Sequence, residues 1–252
     1  MLKHNLLVVR ESRNVVEPPE VLRIEDLCVR YADGVEAIRG VGLGVRPSER
    51  VGLIGPNGAG KTTLMLATMS AVRFTGRILV DAVEVGKTTA NQVRSRCGMT
   101  FQDAEDHLFM PTLLDDVAFG PLNQGCDPGE AQRRALDAIA QVGLAGLERR
   151  SAHHMSGGQK RAAALATVLA MQVKLLLLDE PAANLDCRSR RRLMEILDRR
   201  SEALLLATHD LPLIRQLCSR AILIDEGRVV ADRPTADLLA DAALLTAHGL
   251  MD

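Results

Sequence analysis

The apolar positions of this chain fall into short runs of two periods, and their order predicts an α/β molecule. Val21 to Tyr31 alternates (Leu22, Ile24, Leu27, Val29), as a half-buried strand does. Asp33-Gly34 signals a turn, and Val35 to Val45 returns as further strand, so an antiparallel sheet precedes the rest. Arg50 to Ile54 reads as a short buried strand. Beyond a Gly-rich stretch, Leu64, Met65, Ala67 and Thr68 recur at helical spacing, which predicts a helix from Lys61 to Ser70. A strand follows over Gly76 to Val83, with Asp81 in a turn, and Gly98 to Gln102 reads as a strand end. From about residue 104 to 170 the pattern is mostly helical, with Gln132 to Val142 amphipathic and Pro121, Pro128 and Gly129 as punctuation. Its last member is an Ala/Leu helix from Lys160 to Met171.

Leu175 to Leu178 and Ala203 to Ala207 are apolar without interruption, the mark of parallel strands covered on both faces. Ala221 to Asp225, the turn Glu226-Gly227 and Arg228 to Ala231 predict a hairpin, and short helices close the chain. The expected organisation is a polar extension over residues 1–19, ending in Pro18-Pro19, and a single domain over residues 20–252 with an inserted helical lobe.

Composition narrows the class. The chain has 252 residues, 47% of them hydrophobic, enough to bury a full core. Lys and Arg number 31 against 32 Asp and Glu, a net charge of −1, so no nucleic-acid partner is expected. The run Arg188, Arg190, Arg191 and Arg192 reads as a solvated helix face. Five scattered cysteines with no CxxC fit free thiols in a reducing compartment. No apolar run reaches the roughly 20 residues of a membrane span, so a cytoplasmic location is expected and any membrane role would come through a partner.

The candidate chemistry starts at Gly55-Pro56-Asn57-Gly58-Ala59-Gly60-Lys61-Thr62, which fits G-x-x-x-x-G-K-[ST] at every position and lies between a predicted strand and helix. Glycines let successive N–H groups turn toward a triphosphate, and the helix N-terminus adds partial positive charge. Lys61 can reach the β and γ phosphates, and Thr62 can hold Mg²⁺; Thr63 is the next candidate nucleotide contact. Asp179 follows the leucine run and suits a second Mg²⁺ ligand, while Glu180 beside it can act as general base toward water. His209 ends a neighbouring strand and is a candidate γ-phosphate contact. Tyr31, the single tyrosine, either stacks on a base or packs within its strand.

The tetrapeptide Ser156-Gly157-Gly158-Gln159 narrows the choice further. With it, residues 20 to 240 resemble an ABC-transporter ATPase, in which this is the signature motif. The resemblance implies a P-loop NTPase fold with a RecA-like parallel core, ATP and Mg²⁺ as ligands, and a second ATPase subunit, identical or a paralogue, whose signature helix completes each site. It further implies that Tyr31 stacks on adenine, that Gln102 senses Mg²⁺ and the membrane partner, that Asp179 and Glu180 are metal ligand and base, and that His209 is the switch histidine. Ala183-Asn184-Leu185-Asp186 matches the dimer loop. The stretch Phe101-Gln102-Asp103, Leu108-Phe109 and Asp115 to Asn123 is similar to the ATPases of energy-coupling-factor importers, most of all the cobalt/nickel type, and His153-His154 agrees. The chain is therefore expected on the cytoplasmic face of a membrane, bound to integral transporter subunits.

Met155, Ala182, Ala183 and Ser48 depart from the usual Leu, Thr, Ser and Gly of that family, and none removes a catalytic group. Asp103, Glu105, Asp106 and His107 are expected to be a solvated, partner-facing loop rather than a metal site. DNA-repair and chromosome ABC ATPases carry a long insert before the signature, translation-associated ones carry two copies, and GTPases carry N-K-x-D. None of these features is present. The importer of a vitamin such as biotin is the alternative to a metal importer.

Overall fold

The computed structural model describes residues 19–101 and 103–251. The predicted N-terminal extension lies outside the described residues except at its end, and so does Gln102.

The alternating segments form an antiparallel sheet. β1 (Leu22–Arg30) pairs with β2 (Glu36–Val45) on one side and β4 (Thr75–Val80) on the other, and β5 (Val83–Glu84) adds to β4. The predicted strand over residues 76–83 is thus a hairpin, turned at Asp81 and Ala82, which both have positive φ.

The uninterrupted apolar runs form a second sheet. Its order is β10-β9-β3-β8-β7-β6, from β3 (Arg50–Ile54), β6 (Cys97–Thr100), β7 (Leu175–Asp179), β8 (Ala203–Ala207), β9 (Arg220–Asp225) and β10 (Arg228–Pro234). All neighbours run parallel except the β9–β10 hairpin. β7 is an interior strand beside the edge strand β6.

This sheet separates two hydrophobic cores, and its strands alternate between them. Leu175 and Leu177 of β7 join the core that also holds the antiparallel sheet and Leu64 and Met65 of α1 (Lys61–Thr68). Leu176 and Leu178 point the other way, into a core built with α3 (Leu113–Asn123), α4 (Pro128–Gln141) and α5 (Gly157–Ala170). β8 divides in the same way, with Leu205 on one side and Leu204 and Leu206 on the other. Period-2 geometry sends alternate side chains to opposite faces, so a strand covered on both faces must be apolar throughout.

Short helices α2 (Ala90–Arg96), α6 (Cys187–Asp198), α7 (Leu211–Leu217), α8 (Thr235–Ala240) and α9 (Ala242–Ala247) cover the margins. Among the described residues no helix is long and apolar enough to cross a membrane. All five cysteines are free.

Candidate active site

The site gathers at the C-terminal ends of the parallel strands, where open α/β sheets place their ligand crevices. β3 ends at Ile54, and the Gly-rich stretch turns back before α1 begins at Lys61. Gly60 has φ +107°, and a Cβ there would stand 2.6 Å from the Ala37 carbonyl oxygen. The backbone of β2 therefore leaves room for glycine alone. The Lys61 ammonium is folded over the loop, donating to the Gly55 carbonyl at 2.7 Å and to that of Pro56 at 2.9 Å. Burial pushes its pKa down, and the Glu180 and Asp179 carboxylates push it back up.

Thr62 Oγ1 donates to Asp179 Oδ2 at 2.6 Å, so the phosphate loop and the acidic end of β7 meet in front of β8. Asp179 is buried. Burial raises its pKa, the Thr62 hydroxyl lowers it, Glu180 raises it further and Lys61 lowers it. Two adjacent hard oxygen donors, one on a carboxylate whose charged form burial disfavours, fit a small divalent cation. Thr63 Oγ1 lies 3.0 Å from the Tyr31 hydroxyl, which holds that partly exposed ring beside the start of α1.

Glu180 follows β7 in a left-handed conformation, φ +46°. Its N–H donates to the Ala207 carbonyl at 2.8 Å, carrying the β7–β8 ladder one residue further, and its carboxyl is buried. Oε2 accepts from Thr208 Oγ1 at 2.7 Å. Oε1 accepts from the His209 N–H at 3.1 Å and lies 2.7 Å from Nδ1 of the same residue. The His209 side chain is 63% exposed, so its ring stands at the rim while the carboxylate beneath it is enclosed.

Tyr31, Lys61, Thr62, Thr63, Asp179, Glu180 and His209 thus share one end of the sheet. Ser156 to Gln159 do not join them. Ser156 caps α5, accepting from the Gln159 N–H at 3.3 Å, while the Ser156 N–H donates to Gln159 Oε1 at 3.0 Å. This capping box leaves Ser156 and Gly157 exposed and Gly158 partly exposed, and Ser156, Gly158 and Gln159 line a cleft with Pro181, Leu185 and Asp186. The crevice beside Thr62 is a different one, lined by Leu66, Phe101, Asp103 and Ala183. Arg161 borders both clefts and donates to the Glu180 carbonyl at 3.2 Å.

Among the described residues no group of three or more His, Cys, Asp or Glu is arranged to hold a metal ion. His107 faces inward, its Nε2 accepting from the Phe101 N–H at 2.8 Å and its ring 4.7 Å from that of Phe101. Burial lowers its pKa to about 4, which suits the neutral acceptor.

Sequence reasoning missed Thr208 and Arg161. Thr208 carries a signal in retrospect, being the first polar residue after the apolar run of β8 and one before His209.

A complete phosphate loop facing a Thr–Asp pair and an enclosed Glu defines a P-loop nucleoside triphosphatase. The comparisons narrow the class. The ABC transporter family model matches residues 38–183. A Geobacter sulfurreducens protein assigned to that family is 44% identical over 226 residues, covering 89% of this chain and 91% of that one. The energy-coupling factor transporter ATP-binding protein EcfA of Methanothermobacter thermautotrophicus is 35% identical over 231 residues, covering 89% and 74%. The structure of cbiO1 from Clostridium perfringens, part of the ABC transporter complex cbiONQ, superposes with a TM-score of 0.77 at 29% identity, covering 92% and 95%. The chain belongs to the ABC transporter family of ATP-binding, ATP-hydrolysing subunits.

Proposed function

We propose that this chain is the motor subunit of an energy-coupling-factor type importer, working as a dimer on the cytoplasmic face of a membrane. The observation that carries the reading is the division of the site. One chain brings the phosphate loop, the acidic pair and His209 together at one end of the sheet, and its signature helix opens on a separate cleft. Among the described residues, the signature residues make no contact with the phosphate-loop groups, as expected if ATP is held between two subunits. Similarity to EcfA and cbiO1 supports the importer class.

In this reading the loop from Gly55 to Gly60 (Pro56, Asn57, Gly58 and Ala59 between) cradles the phosphates. Lys61 leaves its two loop carbonyls for the β and γ phosphates, and Tyr31 stacks on adenine. Thr62 and Asp179 would hold Mg²⁺, with Gln102 as a further ligand, and the ion would supply charge neutralisation for the phosphates. Glu180 takes the proton of the attacking water, and His209, at the rim, contacts the γ-phosphate. Ser156, Gly157, Gly158 and Gln159 close over the same phosphate from the second subunit.

The membrane partner docks on the apolar surface of Phe109, Phe119 and Leu122. Phe109 and Phe119 meet edge to face at 5.0 Å, and all three are exposed. The transported substrate is cobalt or nickel, on the strength of the sequence between Phe101 and Asn123. Uptake of each ion into vesicles holding the chain with its membrane subunits tests this. ATP-dependent accumulation of cobalt or nickel is expected; accumulation of biotin but of neither ion would overturn the metal assignment.

A further inference from the structure

Three residues outside the proposed reaction centre, Arg190, Asp210 and Thr208, form one chain of contacts that ends on Glu180. Arg190 lies on the first turn of α6, the helix capped by Asp186 of the dimer loop. Its guanidinium forks onto Asp210, Nη2 donating to Oδ1 at 2.9 Å and Nη1 to Oδ2. A planar bidentate pair of this kind fixes orientation as well as distance. Arg190 holds the Asp210 carboxyl below the usual carboxylate range. Asp210 also caps α7, accepting from the Leu213 N–H at 3.0 Å.

The next link is a backbone group. The Asp210 N–H donates to Thr208 Oγ1 at 3.1 Å. A hydroxyl has one proton and two lone pairs, so a donor on the oxygen leaves the proton for an acceptor elsewhere. That acceptor is Glu180 Oε2 at 2.7 Å. Thr208 is 1% exposed, and its own N–H donates to the Leu53 carbonyl of β3 at 3.2 Å. The residue is pinned to the strand that carries the phosphate loop, its hydroxyl direction set by the Asp210 amide.

From this we infer that Thr208 is a positioning residue for ATP hydrolysis, aimed by Asp210 and Arg190, so that the helix following the dimer loop sets the plane of the Glu180 carboxylate. The inference rests on Glu180 being the general base. Its physical content is orientation. Oε1 is held by the His209 N–H and lies against His209 Nδ1, and among the described residues Oε2 is held by the Thr208 hydroxyl. Without the hydroxyl the carboxylate is held through Oε1 and Oε2 is free to swing, while nucleotide contacts remain as they were. Misplacing a reacting group by about 1 Å can cost on the order of a hundredfold in rate.

The test uses the full chain with Mg²⁺ and ATP, in steady-state turnover, with nucleotide affinity and melting temperature measured alongside. Thr208→Val removes the hydroxyl at nearly constant shape. It is expected to lower kcat by about tenfold or more with KM within about twofold, a split characteristic of lost transition-state alignment. Thr208→Ser keeps the hydroxyl and is expected to recover at least half of the wild-type kcat. Arg190→Ala is expected to lower kcat several-fold, and Thr208→Val/Arg190→Ala to be no slower than Thr208→Val beyond about twofold, because both act through one carboxylate. Should Thr208→Val fail to fold, Arg190→Ala and Arg190→Lys carry the test, Lys losing the fork and falling with Ala. A Thr208→Val kcat within twofold of wild type, additive losses in the double variant, or Thr208→Ser as slow as Val would each overturn the inference. Glu180→Gln is measured in parallel: turnover abolished there but intact in Thr208→Val sinks this inference alone, whereas turnover retained in Glu180→Gln sinks the assignment of the base.

Discussion

Lys61 is the residue on which the phosphate site depends most directly. Its ammonium is buried and rests on two carbonyls of its own loop, Gly55 and Pro56. Replacing it by Ala removes a charge-assisted donor from the phosphates, a contact worth about 1.5–3 kcal/mol. Lys61→Ala is expected to weaken nucleotide affinity by about ten- to a hundredfold in a fluorescent-nucleotide titration and to abolish turnover; wild-type turnover in the variant would contradict the role. The residues of this wall were legible because their motifs fix type and spacing together, as in Lys61-Thr62 and Asp179-Glu180. Thr208 was not, because a hydroxyl at a strand end has many bland uses, and its importance comes from Asp210 and Glu180, which are two residues away and 28 residues away in sequence. His107 departs from the solvated loop expected of it for the same reason, because its partner is the Phe101 amide.

Among elements, periodicity located those that bury an apolar face and missed those that do not. β3 and β8 match their predicted bounds because every side chain in their runs is covered or nearly so. α2 went unread, since Ala90–Arg96 buries Val93 alone. α1 stops at Thr68, two residues short of the prediction, where Ser70 takes φ +55° without the glycine that usually announces such an end. The loop before α3 divides its apolar residues in a way that sequence could not: Leu108 belongs to the core, and Phe109 is 64% exposed. A docking test must therefore spare Leu108. Phe109→Asp with Phe119→Asp is expected to abolish co-purification with the membrane subunits while leaving nucleotide affinity within about twofold. A double variant that still co-purifies would move the docking surface elsewhere.

The same loop is tied to α3 by Asp116, whose Oδ1 accepts from the Phe109 and Met110 N–H groups at 3.0 and 2.9 Å, while its buried Oδ2 has no hydrogen-bond partner among the described residues. Burial raises its pKa, against the pull of those two amides. A carboxyl whose folded pKa exceeds its unfolded value binds more protons when folded, so its contribution to stability falls as pH rises through that interval. Relative to Asp116→Asn, the wild type is thus expected to lose melting temperature between pH 4 and pH 7; a difference independent of pH would contradict the burial account.

The whole molecule is one half of a machine in its geometry. Its two cores lie on opposite faces of the parallel sheet, one under the antiparallel strands and one under the helices, and the reaction groups emerge at the sheet's end between them. The signature helix α5 is anchored in the helical core, and its exposed N-terminus opens on a cleft separate from the phosphate crevice. That separation is a property of the assembled chain, and no spacing between motifs in the sequence could reveal it. In the proposed function it makes ATP the link between two subunits, and hydrolysis the event that releases them. Glu180→Gln keeps the side chain's size and loses the carboxylate, so ATP is expected to bind without being consumed. The most direct test is light scattering on size-exclusion chromatography of Glu180→Gln with Mg²⁺. The account predicts a mass twice that of one chain in ATP and that of one chain in ADP, and a variant that remains a monomer at saturating ATP would contradict it.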